Sequence, residues 1–294
     1  MTSALSPTQS KGLTRTVSSK RRLENLSATV IIGILTVIVL LPLFAITYEI
    51  LSQGIGNINL GLFIESPKSV IDTSGGGGVA HAIVGSIMMI AIGLVIGLLV
   101  GVGAGIFLAE FSEHKLVPLV RLFADVLTGI PAIVVGLVVF QALINSRIIE
   151  YSAVAGGIAL GFIMIPIIVR STEEVLKLVP VSIREAGLAL GLPRWLVTMQ
   201  IVLPAARAGI VTGIILAISR VGGEAAPLLL TALGNNFFSL DPTKAMAALP
   251  LAVYKYAFSP FEHLIRQAWA ASFVLVLLIF ISSLIARYVI RERN

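Results

Sequence analysis

A chain of 294 residues that is 57% hydrophobic and 12% charged, with mean hydropathy +1.01, holds far less charge than the about 25% of an ordinary soluble domain. One water-facing globule cannot bury so much apolar surface, and the lipid bilayer is its natural solvent. The absence of cysteine excludes a disulfide framework, a thiolate metal site and a cysteine nucleophile. The net charge of +6 does not imply a nucleic-acid partner, because in a membrane protein the placement of charge matters more than its sum.

A helix needs about 20 mostly apolar residues to cross the hydrocarbon. Six stretches meet that need: 28–51, 80–109, 122–144, 152–170, 208–233 and 268–290. The expected fold class is therefore all-α, a polytopic membrane protein with six transmembrane helices. Residues 1–27 are polar and Ser/Thr-rich and read as a disordered cytoplasmic tail. The first span follows Lys20-Arg21-Arg22, but its apolar run is too long for a signal peptide, and no small-residue cleavage site follows it. It reads as a retained helix, with Tyr48 and Glu49 as anchors at the outer interface.

Lysine and arginine set the orientation. With the N-terminus inside, only Lys68, Arg147, Lys244, Lys255 and Arg266 fall in outside segments, and Arg220 lies within a span. The remaining cations lie inside, which places both termini in the cytoplasm. Residues 52–79 are then an outer loop ending in Ser74-Gly75-Gly76-Gly77-Gly78. A phosphate-binding loop would need Gly-Lys-Ser/Thr after a strand. Here Val79-Ala80-His81 follows, so the run reads as a flexible linker.

Residues 80–290 form the transmembrane core. Gly93, Gly97, Gly101 and Gly105 recur every four residues in the second span and share a face where another backbone can come close. Tight packing is the plain reading and a pore lining the alternative. Arg121 and Asp125 are four apart near the start of the third span and read as a local pair. Arg170 ends the fourth span as a positive-inside anchor, or else as a group that helps release an anion.

The cytoplasmic segment 171–207 is polar yet patterned. Ser182 and Glu185 form a capping box that predicts a helix start. Gly191 suits a left-handed C-cap, with Pro193 just beyond to open a second helix. That second helix runs from Arg194 to about Leu203, where Pro204 stops it. Two short helices with a sharp bend result.

Glu185-Ala186-Gly187-Leu188-Ala189-Leu190-Gly191, then nine residues, then Ile201-Val202-Leu203-Pro204 resembles the signature E-A-A-x3-G-x9-I-x-L-P of binding-protein-dependent ABC permeases of the MetI-like kind. Only Gly187 departs, where the family has alanine, at about 1 kcal/mol of helix propensity. The resemblance implies a coupling helix that docks in a groove of an ABC ATPase subunit. Glu185, Ala186, Gly187 and Gly191 would form the contact, with Ile201, Leu203 and Pro204 completing the coupling segment.

The fifth span contains Arg220, an expense of at least about 2.5–3.5 kcal/mol near a membrane centre. Glu224 is four residues on and can pair with it. Gly222, Gly223 and Pro227 weaken the helix there, so the stretch is expected to open and expose backbone. One reading is an ion pair that only orients the span. The other puts Arg220 on the substrate path, its guanidinium binding an oxyanion bidentately while Glu224 holds it between substrates.

The stretch from Val169-Arg170-Ser171-Thr172-Glu173 to Leu178-Val179-Pro180, the run from Ala217 to Ala232, and Ala257-Phe258-Ser259-Pro260-Phe261 resemble the PstA family of phosphate-transport permeases. The resemblance covers about residue 80 to the C-terminus. It implies phosphate as substrate, an ATPase dimer that uses ATP and Mg, a second PstC-like permease subunit and a periplasmic phosphate-binding protein. No cofactor on this chain itself is expected. His81, His114 and His263 are far apart in sequence, and no hydrolase motif is present, so neither a metal site nor enzymatic activity is expected. Two other classes stay open: a permease for sulfate, molybdate or phosphonate, and a membrane scaffold or channel that works without ATP.

Overall fold

The computed structural model describes residues 19–67 and 77–291. Residues 1–18 and most of the glycine-rich run lie outside the described residues. The chain divides into two units, 1–49 and 50–294. Among the described residues it is helical, with no strand. Five helices are long and apolar enough to cross a membrane, and one sharply bent helix pair passes the same test jointly.

Helix α1 runs Ser19–Gly56. It starts nine residues before the expected span, because Lys20, Arg21, Arg22, Leu23 and Glu24 are good helix formers and nothing among them breaks the ladder. Residues 19–27 are thus helix, where a disordered tail was expected. The side chains of residues 20–48 in α1 are exposed. A short α2, Leu60–Ile64, is capped by Asn59, whose side chain accepts from the Leu62 N–H.

The second span is α3, Ala80–Gly97, a π-helical turn over Leu98–Val102, and α4, Gly103–Glu110. It lies against α7, Ala153–Lys177. Ser152 starts α7 by accepting from the Ala155 N–H at 3.1 Å. The Ala153 and Val154 N–H groups donate to the carbonyls of Lys244 and Pro242. These are orphan donors of a first turn, satisfied by a distant loop.

The four expected glycines explain the packing. A Cβ at Gly93 would lie 3.0 Å from the Gly157 carbonyl oxygen, at Gly97 3.1 Å from Met164, at Gly101 2.8 Å from Ile168, and at Gly105 2.5 Å from Thr172. Each step of four residues overshoots a full α-helical turn by about 40°. The wider π turn between Gly97 and Gly103 takes up part of that drift, so all four face α7. Tight packing is therefore the role of this stripe. Met89, Leu160, Met164, Ile168, Ala217, Val221 and Leu228 form the core around it.

The third span is not continuous. Val117–Gly129 (α5) and Ala132–Val139 (α6), the latter prolonged by a π turn over Phe140–Ile144, meet at 105°. Pro131 drives the residue before it out of the helical region, and Ile130 is extended at φ −75°, ψ 127°. The fourth span does not end at Arg170 but continues two turns to Lys177. Two short helices follow, α8 (Val181–Ala189) and α9 (Arg194–Val197).

Pro204 does not stop the chain after α9. A π turn, Thr198–Val202, leads directly into α10, Leu203–Gly222. The Leu203 N–H reaches back five residues to Thr198, and the next residue, Pro204, sits in the first turn of α10, where no N–H is needed. The fifth span breaks after Gly222, as its glycines suggested, and restarts as α11, Ala226–Thr231, with Pro227 in its first turn. Leu233 and Gly234 take left-handed backbone at φ 63° and 79°. The Lys255 ammonium donates to the Leu233 carbonyl at 3.0 Å. Helices α12 (Leu249–Ala257) and α13 (Glu262–Arg291) complete the chain.

Gly105→Ala should lower stability by about 1–3 kcal/mol, the usual cost of overpacking. Gly103→Ala, where nothing lies within 4 Å of the added carbon, should leave the unfolding midpoint unchanged or slightly raised. Thermal unfolding of the purified protein in detergent measures both.

Candidate functional site

Among the described residues, three groups of charged side chains lie at helix contacts and breaks relevant to a site. The first is the contact of α5 with the last turns of α7. Glu173, only 2% exposed, accepts from Arg121 at 2.6 Å, Lys177 at 2.6 Å and Arg170 at 3.2 Å. Arg170 also pairs with Asp125. The expected local pair of Arg121 with Asp125 is thus replaced by two bridges between helices. A carboxylate buried on α7 attracts Arg121 more strongly than an exposed Asp125 one turn away, since low dielectric strengthens the pair. Arg170 is therefore more than a terminal anchor: it links both acidic groups.

The second place is the break in the fifth span. Arg220, in the last turn of α10, pairs with Glu224 just past it. Gly223 follows at ψ 0°, and the Glu224 N–H donates to Val221. The Arg220 side chain is 57% exposed and that of Glu224 14%. The guanidinium is held at one edge and open elsewhere. Arg170 and Arg220 sit in separate ion pairs, with no shared carboxylate.

The third place is the pair α8–α9. Helix α8 starts earlier than expected. Pro180 precedes it at φ −56°, ψ 141°, and no side chain caps it. Ser182 is thus its second residue, and the expected capping box is absent. Gly191 ends α8 at φ +81°. Its N–H donates to Leu188, and that of Leu192 donates to Gly187, the paired bonds of a Schellman turn.

The motif residues divide by face. Gly187 is buried, and a Cβ there would lie 3.0 Å from both Val197 and Ile201. It therefore sets how closely α8 meets the π turn and is unavailable for the outward contact expected of it. Glu185 and Ala186 face outward, together with Leu188, Leu190 and Trp195. Leu203 and Pro204 lie in the first turn of α10. Between α8–α9 and the segment Glu110–His114 lies a cleft of about 500 Å³, bordered by Arg184, Glu185 and Arg194.

Two partnerships escaped sequence reasoning. Arg184 on α8 grips Glu110 of α4 at 2.8 Å. Glu173 is the hub of the α5–α7 cluster. Its position in α7, four residues before Lys177 and three after Arg170, was the available signal.

This arrangement of a glycine-packed bundle with a bent helix pair matches known proteins. Residues 101–293 match the family described as binding-protein-dependent transport system inner membrane component. A phosphate transport system permease protein PstA of Yersinia pestis is 39% identical over 93% of this chain and 92% of its own length. One from Pasteurella multocida is 39% identical over 85% and 88%. The chain belongs to the PstA family of binding-protein-dependent permeases. The fold is that of a solved chain of the MetNI methionine ABC transporter, at TM-score 0.60 and 16% identity, over 77% of this chain and all of that one. As a member of this family, it is a multi-pass membrane transport component.

Glu173→Gln should cost about 1–3 kcal/mol, because it leaves three cations around a neutral buried amide. Asp125→Asn, at an exposed carboxylate, should cost less than about 1 kcal/mol. Thermal unfolding in detergent separates them. Gly191→Ala should cost about 1–2 kcal/mol through its left-handed backbone, read as faster amide exchange across residues 181–197.

Proposed function

We propose that this chain is the permease subunit of an ATP-driven importer of inorganic phosphate. Its bent pair α8–α9 faces the cytoplasm and receives the motion of a separate ATPase dimer, which consumes ATP and Mg. The excess of Lys and Arg in the segments assigned to the inside supports that orientation, with both termini in the cytoplasm. A second, PstC-like permease would complete the pathway, and a periplasmic phosphate-binding protein would deliver the substrate. The chain itself contributes the path and the lever, and catalyses no hydrolysis.

The single observation that carries the coupling role is the division of the motif. Gly187 and the left-handed Gly191 rigidify the bend, while Glu185, Ala186 and the large apolar Leu190 and Trp195, 81% and 65% exposed, face outward. Exposed apolar side chains on a polar segment are a partner surface. Phosphate is supported by the names of the relatives from Yersinia pestis and Pasteurella multocida. The open edge of Arg220 supports an oxyanion. A planar guanidinium already oriented by one carboxylate can bind a tetrahedral anion at its other donors. Arg170, tied to Asp125 and Glu173, would serve the same path.

The test is reconstitution of the copurified complex in vesicles with labelled phosphate and labelled sulfate. Phosphate should drive ATP hydrolysis and enter, and sulfate should not. Arg220→Gln should leave the complex assembled and cut uptake about 10–100-fold, the worth of one charge-assisted pair of about 1.5–3 kcal/mol. Unchanged uptake in an assembled Arg220→Gln complex removes Arg220 from the path. Sulfate-driven turnover overturns the substrate assignment.

A further inference from the structure

We propose that Arg184 is the positioning residue that locks the coupling helix α8 to the bundle, with Glu110 as its counterpart. The inference rests on the coupling role just proposed for α8. The side chains are partly buried, at 20% and 12% exposure, although they lie on a largely exposed segment. The guanidinium Nε donates to both Glu110 carboxylate oxygens, at 3.1 and 3.3 Å. Nη2 donates to Glu110 Oε1 and to the Leu176 carbonyl, both at 2.8 Å. Nη1 donates to the Val179 carbonyl at 2.6 Å.

Each acceptor belongs to a different part of the frame. Glu110 is the last residue of α4. Leu176 lies in the final turn of α7, and Val179 in the link between α7 and α8. The carbonyls at a helix end lack partners within the helix and carry negative partial charge, so a cation placed there is doubly suited. One planar group thus joins α4, α7 and α8 at a point where no helix ladder joins them. The glycine stripe already packs α3 and α4 onto α7. A displacement of α8 therefore reaches both helices at once instead of swinging the link at 178–180. Lysine cannot replace this arrangement, because its ammonium is a point charge without a planar fork.

The complete complex is tested with Arg184→Lys, Arg184→Gln and Glu110→Gln. Assembly with the ATPase and ATP hydrolysis should persist, while phosphate imported per ATP hydrolysed falls about tenfold, within the usual range of coupling between sites. The charge swap Glu110→Arg with Arg184→Glu should recover part of that ratio. An unchanged ratio in the assembled Arg184→Lys and Arg184→Gln complexes overturns the proposal. The chain has no cysteine, so a second measurement is direct. Spin labels attached through Ser112→Cys and Ala189→Cys should report one narrow distance, and Arg184→Lys should broaden it. An equally narrow distance in that variant also overturns the proposal. If the unaltered chain binds no ATPase, the coupling role of α8 fails instead, while the spin-label distance still reads the lock itself.

Discussion

The approach of α3 and α4 to α7 at backbone contact distance is the constraint on which the rest of this bundle depends. Lipid offers two helices no hydrophobic reason to associate, so they must gain from dispersion and from hydrogen bonds. Dispersion falls steeply with a gap of half an ångström, and four missing Cβ atoms remove that gap along four turns. Helix α7 thereby becomes the most buried span, with 61% of its apolar window inside the protein. Arg170, Glu173 and Lys177 all ride on it, so the charge cluster facing α5 is carried by this well-packed helix.

Much of this was legible in the sequence, and the misses have common physical causes. Apolar length located the membrane helices, because hydrocarbon thickness is a hard requirement. It did not reveal direction. The 105° turn between α5 and α6 has the same hydropathy as a straight span, and only the dipeptide Ile130-Pro131 signals it. The spacing rule correctly paired Arg220 with Glu224, since among the described residues no other carboxylate forms an ion pair with Arg220. The same rule failed for Arg121 and Asp125, because spacing describes neighbours on one helix and is silent about a buried rival on another. Arg184 and Glu110 lie 74 residues apart, a separation at which no local pattern speaks. The capping box failed for a different reason: Pro180 began the helix before Ser182 could cap it.

The two kinds of charge site differ in what holds them. Around Glu173, three cations converge on one buried carboxylate. Such a hub is strict about geometry, because removing the anion leaves uncompensated positive charge. Among the described residues Arg220 has one ion-pair partner and an open face, in the last turn before the helix ends. The first arrangement ties helices to one another, and the second leaves guanidinium donors open. The motif at α8–α9 shows a similar division, with small residues turned inward to fix an angle and larger ones presented outward.

The hydrogen bonds at the two ends of α7 have a mechanical consequence. At one end the carbonyls of Pro242 and Lys244 take its leading N–H groups, and at the other the Arg184 guanidinium takes a trailing carbonyl. A helix of 25 residues is about 37 Å long at 1.5 Å per residue, enough to cross the hydrocarbon. Clasped at both tips and pressed along its flank, α7 has the character of a strut. It carries axial load between the loop at 242–244 and the start of α8, so a shift of that loop should be felt at the far tip of the helix with little loss to bending.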